Sequence, residues 1–442
     1  MKNLRTAKKS KEEVIIEIDS LPFNFNPLMA IDYNSKLVAS TMYEPLISDF
    51  NCHIEKNISQ GKYFIRLYDS YRATTRDIYN TILYHLNKEN GSPYKKELLP
   101  IKGAMNYIKK VVEVDQLGVH IEDDKNMCIE LEHDIDYFEH VLEGQFLVPS
   151  TGEGIPINTG PYKMLHTTDT SISLERNDRY HLTTECSVKL LTFLLNQDIY
   201  RSMHLYLQGK VDITCNTQFF HENEWVKDYE DFQEYDLSLL YSFEINRKNT
   251  GLKNLIMYKY PRSEVSKHVY GNLKPINNLL GEITKNVTYD QDPEFASGDT
   301  NTVSIIYADY YPNHILVDRL KIMLENLELK TKITRVEDFK EYVTMDKTRY
   351  DIKLHLFLPN YDHLSSFFKF FINDIESASL RRNLVDLYNN RNRDELIRCF
   401  ESTTHYIPLF LGKSQYLKDP HIKGFKMNRI GLLSVAELSY EN

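Results

Sequence analysis

The residue groups best suited to chemistry in this chain of 442 residues are incomplete as catalysts. Gly412-Lys413-Ser414 ends as a phosphate-cradling loop ends, but that loop needs a further glycine where Ile407 stands. There is no Gly-x-Ser-x-Gly elbow, no His-Glu-x-x-His pair and no kinase-like set. Among 15 histidines, His53, His120, His133 and His140 lack the close spacing that would bring two ring nitrogens to one metal. The five cysteines, Cys52, Cys128, Cys186, Cys215 and Cys399, are scattered and odd in number, a pattern of reduced thiols and not of a disulfide or metal framework. The sequence therefore predicts no catalytic residue, no metal and no cofactor. What it holds in quantity is aromatic surface, 31 tyrosines and 21 phenylalanines, the material of a core or of a ligand-binding wall. Phe367, Phe368, Phe370 and Phe371 are expected in the core, and Trp225 is expected to be either a packed loop anchor or a wall of the ligand cleft, the packing reading being favoured.

Two wordings are more specific. Asn158-Thr159-Gly160-Pro161-Tyr162 punctuates the start of one strand, and Leu174-Glu175-Arg176-Asn177-Asp178-Arg179-Tyr180 ends the next in a charged turn. Together they resemble the paired signature of the family 5 solute-binding proteins, the oligopeptide, dipeptide and nickel receptors of ABC importers, with relatives inside transcription regulators. The resemblance extends over nearly the whole chain. Residues 21–27 and 37–46 are similar to the family's opening, 209–213 to a later landmark, and 406–410 with 423–425 to its close. It implies an α/β, two-lobed periplasmic-binding-protein-like fold of class II with an inserted subdomain in the first lobe. It also implies a non-enzymatic protein that binds a small solute or short peptide.

In the family's peptide receptors an aspartate of the second lobe pairs with the ligand's α-ammonium group. The matching run here is 357–363, which puts Asn360 at that position with Tyr361 and Asp362 beside it. An amide accepts a hydrogen bond but cannot neutralise a buried cation, so the usual peptide mode is lost unless Asp362 takes that role. The resemblance nominates as further ligand contacts Tyr43 and Glu44 at the end of the first helix, Tyr162 after the Gly-Pro turn, and Asn246 and Arg247 near the lobe crossing. Between residues 236 and 280 the wording drifts from that of the receptors, and Pro261 is set to stop or kink a helix. That drift is closest in style to the regulator members.

The elements expected to hold these residues alternate between strand and helix. Strands are expected at 14–18, 61–67, 111–114, 118–122, 127–131, 304–307, 330–336 and 351–357. Helices are expected at 33–43, capped by Asp32, and at 75–86, 137–142, 187–197 and 313–326, with 219–235 as an irregular connection. The chain divides into a basic leader or linker at 1–13, a first lobe from 14–46 with 155–251 and 405–442, its inserted subdomain at 47–154, and a second lobe at 252–404. A hydrophobic content of 42% supports several cores, and a net charge of -10 excludes a general nucleic-acid-binding surface. No apolar run of the roughly 20 residues a membrane helix needs is present. The basic, polar start without an apolar secretory segment, together with the scattered cysteines, favours a cytoplasmic setting. The sequence is thus read as a cytoplasmic ligand-sensing module of a transcription regulator, partnered by a helix-turn-helix module. The alternative is the extracellular receptor of a peptide or nickel ABC transporter, partnered by its permease.

Overall fold

The computed structural model describes residues 12–57, 61–133, 135–144, 158–182, 188–217, 224–246, 250–269, 272–280, 302–338, 341–342 and 345–441. The chain opens with β1 (Glu13–Ile18), which buries Val14, Ile16 and Ile18. α1 (Tyr33–Met42) follows, its first turn fixed by Asp32, whose carboxylate accepts the Ser35 N–H at 2.9 Å. The chain then leaves the lobe for a subdomain built on an antiparallel sheet. Its strands β2 (Cys52–Asn57), β3 (Lys62–Leu67), β4 (Val119–Ile121) and β5 (Asn126–Glu130) lie in the order β2-β3-β5-β4. α2 (Thr75–Leu86) begins with a reciprocal Thr74–Asp77 capping box and buries Ile78, Ile82 and Leu86 beneath this sheet's core. Residues 111–114, expected as a strand, form a bend leading into the 3-10 turn Val114–Gln116. Val111 is 70% exposed, so the short apolar run there has no face to bury and no reason to extend.

The first lobe resumes with β6 (Tyr162–Thr167), β7 (Ser171–Arg176) and β8 (Leu190–Leu195), giving the sheet order β1-β8-β7-β6. The helix expected at 187–197 is this β8. Its apolar run suits either element by periodicity, and the decision comes from pairing: β1 lies parallel on one side and β7 antiparallel on the other.

A six-stranded sheet forms the second lobe. β9 (Phe232–Ile245), β10 (Leu273–Pro275), β11 (Thr302–Ala308), β12 (Lys330–Val336), β13 (Ile352–Phe357) and β14 (Tyr406–Leu417) take the order β10-β14-β9-β13-β11-β12. One face carries the helices Thr250–Lys259, Arg262–His268 and Asn313–Glu325 over a core with Phe243, Leu255 and Leu320. The other carries Leu364–Ile372, Ala378–Asn389 and Arg393–Thr403 over Phe367, Phe368, Phe371 and Phe400. Of the expected core phenylalanines only Phe370 remains 37% exposed. The first two helices are separated at Pro261, as a residue without an N–H requires, and the Arg262 guanidinium donates to the carbonyls of Met257 and Pro408 across the break.

β9 and β14 carry the chain between lobes. Their pairing runs from Tyr406–Glu244 to Leu417–Phe232, with register shifts after Pro408 and after Leu411. At the far end β14 joins the first lobe, where Thr214 N–H donates to the Leu417 carbonyl at 2.9 Å and Glu17 N–H to the Ile213 carbonyl at 2.8 Å. The segment 219–235 is in part the start of β9, and its residues 219–223 lie outside the described ones. Trp225 is 45% exposed and meets Tyr229 edge-on at 5.6 Å. Gly412-Lys413-Ser414 sits within β14 in extended backbone, which offers no phosphate cradle.

Candidate functional site

The two specific wordings meet at the end of α1. A Cβ on Gly160 would lie 2.6 Å from the Met42 carbonyl carbon and 2.7 Å from the Tyr43 nitrogen, so only glycine lets the strand cross there. The crossing is fastened by the Gly160 N–H donating to the Met42 carbonyl at 2.8 Å, and Asn177 braces it by donating to the Gly160 carbonyl at 2.8 Å. Tyr180, from the same charged turn, donates its hydroxyl to Glu44 Oε1 at 2.6 Å, and the Glu44 N–H is held by Thr159 Oγ1 at 3.0 Å. The geometry of this bracket is therefore a device that fixes one carboxylate.

Glu44 is 9% exposed and lines a cavity of about 270 Å³ with Ser40, Tyr43, Tyr180, Glu143 and Leu432. A hairpin pairing Lys426–Met427 with Leu433–Ser434 walls its far side and is tied to α1 by the Leu433 N–H on Ser40 Oγ at 2.9 Å. Burial raises the Glu44 carboxyl above its ordinary value against the opposing Tyr180 hydrogen bond, and burial pushes the Tyr43 hydroxyl up to about 12.

The second lobe meets the first at the carboxyl ends of β1, β11 and β13, the usual position for ligands in open α/β sheets. Beyond β1 and β11, Asp19 accepts the hydroxyl of Tyr310 and also that of Thr217, at 2.8 Å. Beyond β13, Asn360 lies between two elements of the first lobe. Its Oδ1 accepts from Lys36 Nζ at 3.4 Å and its Nδ2 donates to Glu97 Oε1 at 3.3 Å, while Lys369 Nζ donates to Glu97 Oε2 at 3.3 Å. Tyr361 is fully buried inside the subdomain's core, stacked on Tyr137 at 6.1 Å, and His363 stacks on His140 at 5.3 Å. Burial depresses the Lys36 ammonium to about 8, against the opposing fields of Asp32 and Glu97, and burial also lowers Lys369.

The sequence-nominated residues fall into three settings. Tyr43 and Glu44 line the cavity; Asn360, Tyr361 and Asp362 occupy the seam, with Asp362 accepting from Ser238 Oγ at 3.3 Å and 3.5 Å from Arg429 Nη1. Tyr162 is fully buried in the first lobe's core, its hydroxyl donating to the Val188 carbonyl at 3.1 Å. Asn246 is held at the end of β9, donating from its side chain to the Tyr350 carbonyl at 3.1 Å, and Arg247 lies outside the described residues. The sequence did not nominate Lys36, Glu97, Lys369 or Tyr180. Lys36 carried a signal, being four residues before Ser40 on one helix face; Glu97 carried none. Among the described residues no group of three or more His, Cys, Asp or Glu side chains is placed to hold a metal ion, and no helix is long and apolar enough to cross a membrane. Cys52, Cys128, Cys215 and Cys399 are free, and Cys186 lies outside the described residues.

No protein-family model matches the sequence, and no curated protein matches it. Solved structures do. The chain superposes on the Haemophilus influenzae OppA complex with the peptide RPPGFSPFR with a TM-score of 0.82 at 16% identity, covering 98% of this chain and 100% of that one. A periplasmic oligopeptide-binding protein of an ABC transporter from Borrelia burgdorferi, OppAIV, gives 0.81 at 15% over 97% and 99%. The Escherichia coli murein tripeptide binding protein MppA gives 0.80 at 16% over 98% and 99%, whereas its unliganded open form gives 0.61 over 97% and 96%. The fold is thus a two-lobed α/β periplasmic-binding-protein fold.

These likenesses overturn the reading as a cytoplasmic sensing domain of a transcription regulator, because the structures matched end to end are periplasmic and transporter-associated binding proteins. The regulator style was inferred from drift between residues 236 and 280. That drift is absorbed within the second lobe as β9 and a helix pair broken at Pro261, so it carries no information about a fused module.

Proposed function

We propose that the chain is a non-enzymatic receptor, the substrate-binding component of an importer, which works outside the cytoplasmic membrane and closes two lobes on a short peptide or a solute of that size. The observation that carries this reading is the lobe arrangement. It agrees better with the peptide-complexed oligopeptide-binding structure, at 0.82, than with the open MppA form, at 0.61. A cavity of about 270 Å³, lined by residues of the first lobe and its subdomain, offers room for a small ligand. Closure is then the output, since a ligand shifts the open and closed populations only through contacts it gains in the closed state.

The test is calorimetry and thermal melting against a panel of di- to pentapeptides, with mass spectrometry of any molecule released on denaturation. Specific binding that raises the melting temperature with ligand concentration is expected. A panel without a single binder, and a protein released without any small molecule, would refute it. Fractionation of host cells should recover the chain outside the cytoplasmic membrane.

A further inference from the structure

Across the seam, aromatic rings from the two sides follow one another in a stack. Tyr361 and His363 come from the second lobe, and Tyr137 and His140 come from the subdomain, at the cap and in the body of its helix Phe138–Glu143. Tyr137 stacks on Tyr361 at 6.1 Å and on His363 at 6.0 Å, and His363 stacks on His140 at 5.3 Å with the two planes 13° apart. His363 is at the same time the cap of the helix Leu364–Ile372. Its Nδ1 accepts the Ser365 N–H at 3.2 Å and lies 2.9 Å from Ser365 Oγ. A ring nitrogen that accepts carries no proton, so His363 is neutral here with its hydrogen on Nε2.

A second proton on His363 must therefore go to Nδ1, and every consequence there is unfavourable. It removes the acceptor of the cap, sets positive charge before the positive end of that helix's dipole, and opposes the charges of Lys369 and of a protonated His140. His140 has a carboxylate of its own, with Glu143 Oε2 3.4 Å from its Nδ1, so a proton on it is matched inside the subdomain. The acids near His363 are engaged elsewhere, Asp136 with Arg391 at 3.8 Å and Asp362 with Arg429 at 3.5 Å, while Glu97 holds Lys369 at 3.3 Å. Burial raises the Glu143 carboxyl, with His140 opposing and Glu139 and Asp49 adding to the rise. Burial also raises the hydroxyls of Tyr137, Tyr361 and Tyr388, which stay protonated at neutral and acid pH. For His363 burial lowers the proton affinity, His140 and Lys369 act in the same direction, and Asp136 and Asp362 act against it.

Resting on the receptor reading above for its use, we infer that the His140–His363 stack is a pH-sensitive latch between the subdomain and the second lobe, shut while His363 is neutral and released when it takes up a proton. The sign follows from the two states of the ring. In the shut seam His363 titrates below 6.5, and on release it returns to that ordinary value, so the open form binds more protons. The latch is at full strength above about pH 6.5 and weakens as pH falls through and below that value. One proton shifts the ratio of open to shut forms by at most about tenfold per pH unit. A receptor built this way holds its solute in a neutral medium and gives it up in an acidified one. His85 and His181, also lowered by burial, lie within the first lobe and its subdomain and do not bear on this opening.

The experiment is small-angle scattering of the full chain without ligand between about pH 8 and pH 5, on wild type and on His363→Asn, with far-ultraviolet circular dichroism to establish that each stays folded. Asparagine keeps an acceptor for the Ser365 N–H but does not titrate, so it separates the cap from the charge. The wild-type radius of gyration should rise as the pH falls below about 6.5, and the rise should be absent from His363→Asn. A wild-type radius that is the same at both ends of the range overturns the latch, and so does a rise that persists unchanged in His363→Asn. Nuclear magnetic resonance of the histidine rings in wild type gives a measure that needs no variant: a His363 midpoint below 6.5 is expected, and one at or above it overturns the latch. None of these results depends on a ligand, so failure of the latch leaves the receptor reading standing, and a peptide panel without a binder removes the receptor reading while the scattering result holds.

Discussion

Glu44 lies in a cavity of the first lobe and Tyr361 in the seam between that lobe's subdomain and the second lobe, and the structure treats the two in opposite ways. Around Glu44 the first lobe builds a rigid bracket from Gly160, Asn177 and Tyr180 and leaves open space in front of the carboxylate. Around Tyr361 the second lobe fills the available space. The ring enters the subdomain's core, its hydroxyl is paired with Ser365 Oγ at 2.9 Å, and Asn360 next to it bridges Lys36 and Glu97. One region leaves space in front of a carboxylate; the other is filled by the chain itself. On the proposed reading the bracket would serve recognition and the seam would serve closure.

Truncating the seam should have the largest effect. Tyr361→Ala removes a fully buried aromatic and should cost about 3–5 kcal/mol. If that cost is borne by closure, small-angle scattering will report an increased radius of gyration. A lowered melting temperature with unchanged scattering would make Tyr361 an ordinary core residue.

The next effect is a pH dependence of the seam. The Lys36 ammonium titrates near 8 in the folded chain, below its ordinary value of 10.5, because it is buried. Between those values the unfolded chain binds more protons, so stability should rise as pH climbs from about 8 to 10.5, by up to a few kcal/mol. Lys253, also lowered to about 8 by burial, adds a rise of the same sign. The Lys36 share is therefore read as the difference between wild type and Lys36→Met in denaturant melts. Parallel curves for the two would remove Lys36 from the seam.

A smaller wedge is available at Gly144, where an added Cβ would stand 2.8 Å from the Asn360 carbonyl oxygen and 2.9 Å from Tyr361 Cβ. Gly144→Ala should loosen the seam by about 1–3 kcal/mol while leaving the Glu44 bracket intact. Weakened ligand affinity with an unchanged preference among ligands is the expected signature. Smallest of all is Asn360→Asp, which gains an ion pair with Lys36 but sets a second carboxylate against Glu97, 3.3 Å from the present amide nitrogen. Its net effect on stability should stay within about 1 kcal/mol. Its diagnostic is the alkaline rise attributed to Lys36, which should shrink as the new carboxylate restores the ammonium's ordinary titration.

Much of the scaffold was legible because it is local. Asp32 before α1 and Thr74 before α2 are caps whose side chains satisfy the first N–H groups of their own helices, and Pro261 stops a helix by its own chemistry. The apolar run at 190–195 was misread because it is apolar at nearly every position, although only Leu191 and Phe193 are fully buried, so hydrophobicity shows no alternation to mark a strand. Of the cavity lining, Tyr43 and Glu44 were visible through the wording around them. Lys36 and Glu97 were not, since neither has a role until the lobes and the subdomain are brought together.

By itself the sequence determined most of the kinds of element and the two wordings that form the Glu44 bracket. Each of these depends on residues close in the chain or on a single side chain's chemistry. Only the tertiary structure decided which charges are left under-compensated and which are spent. Burial and partner distance set that outcome for Lys36, Glu97, Asn360 and Lys369, and those quantities arise when segments as far apart as residues 36, 97 and 369 meet at the cleft.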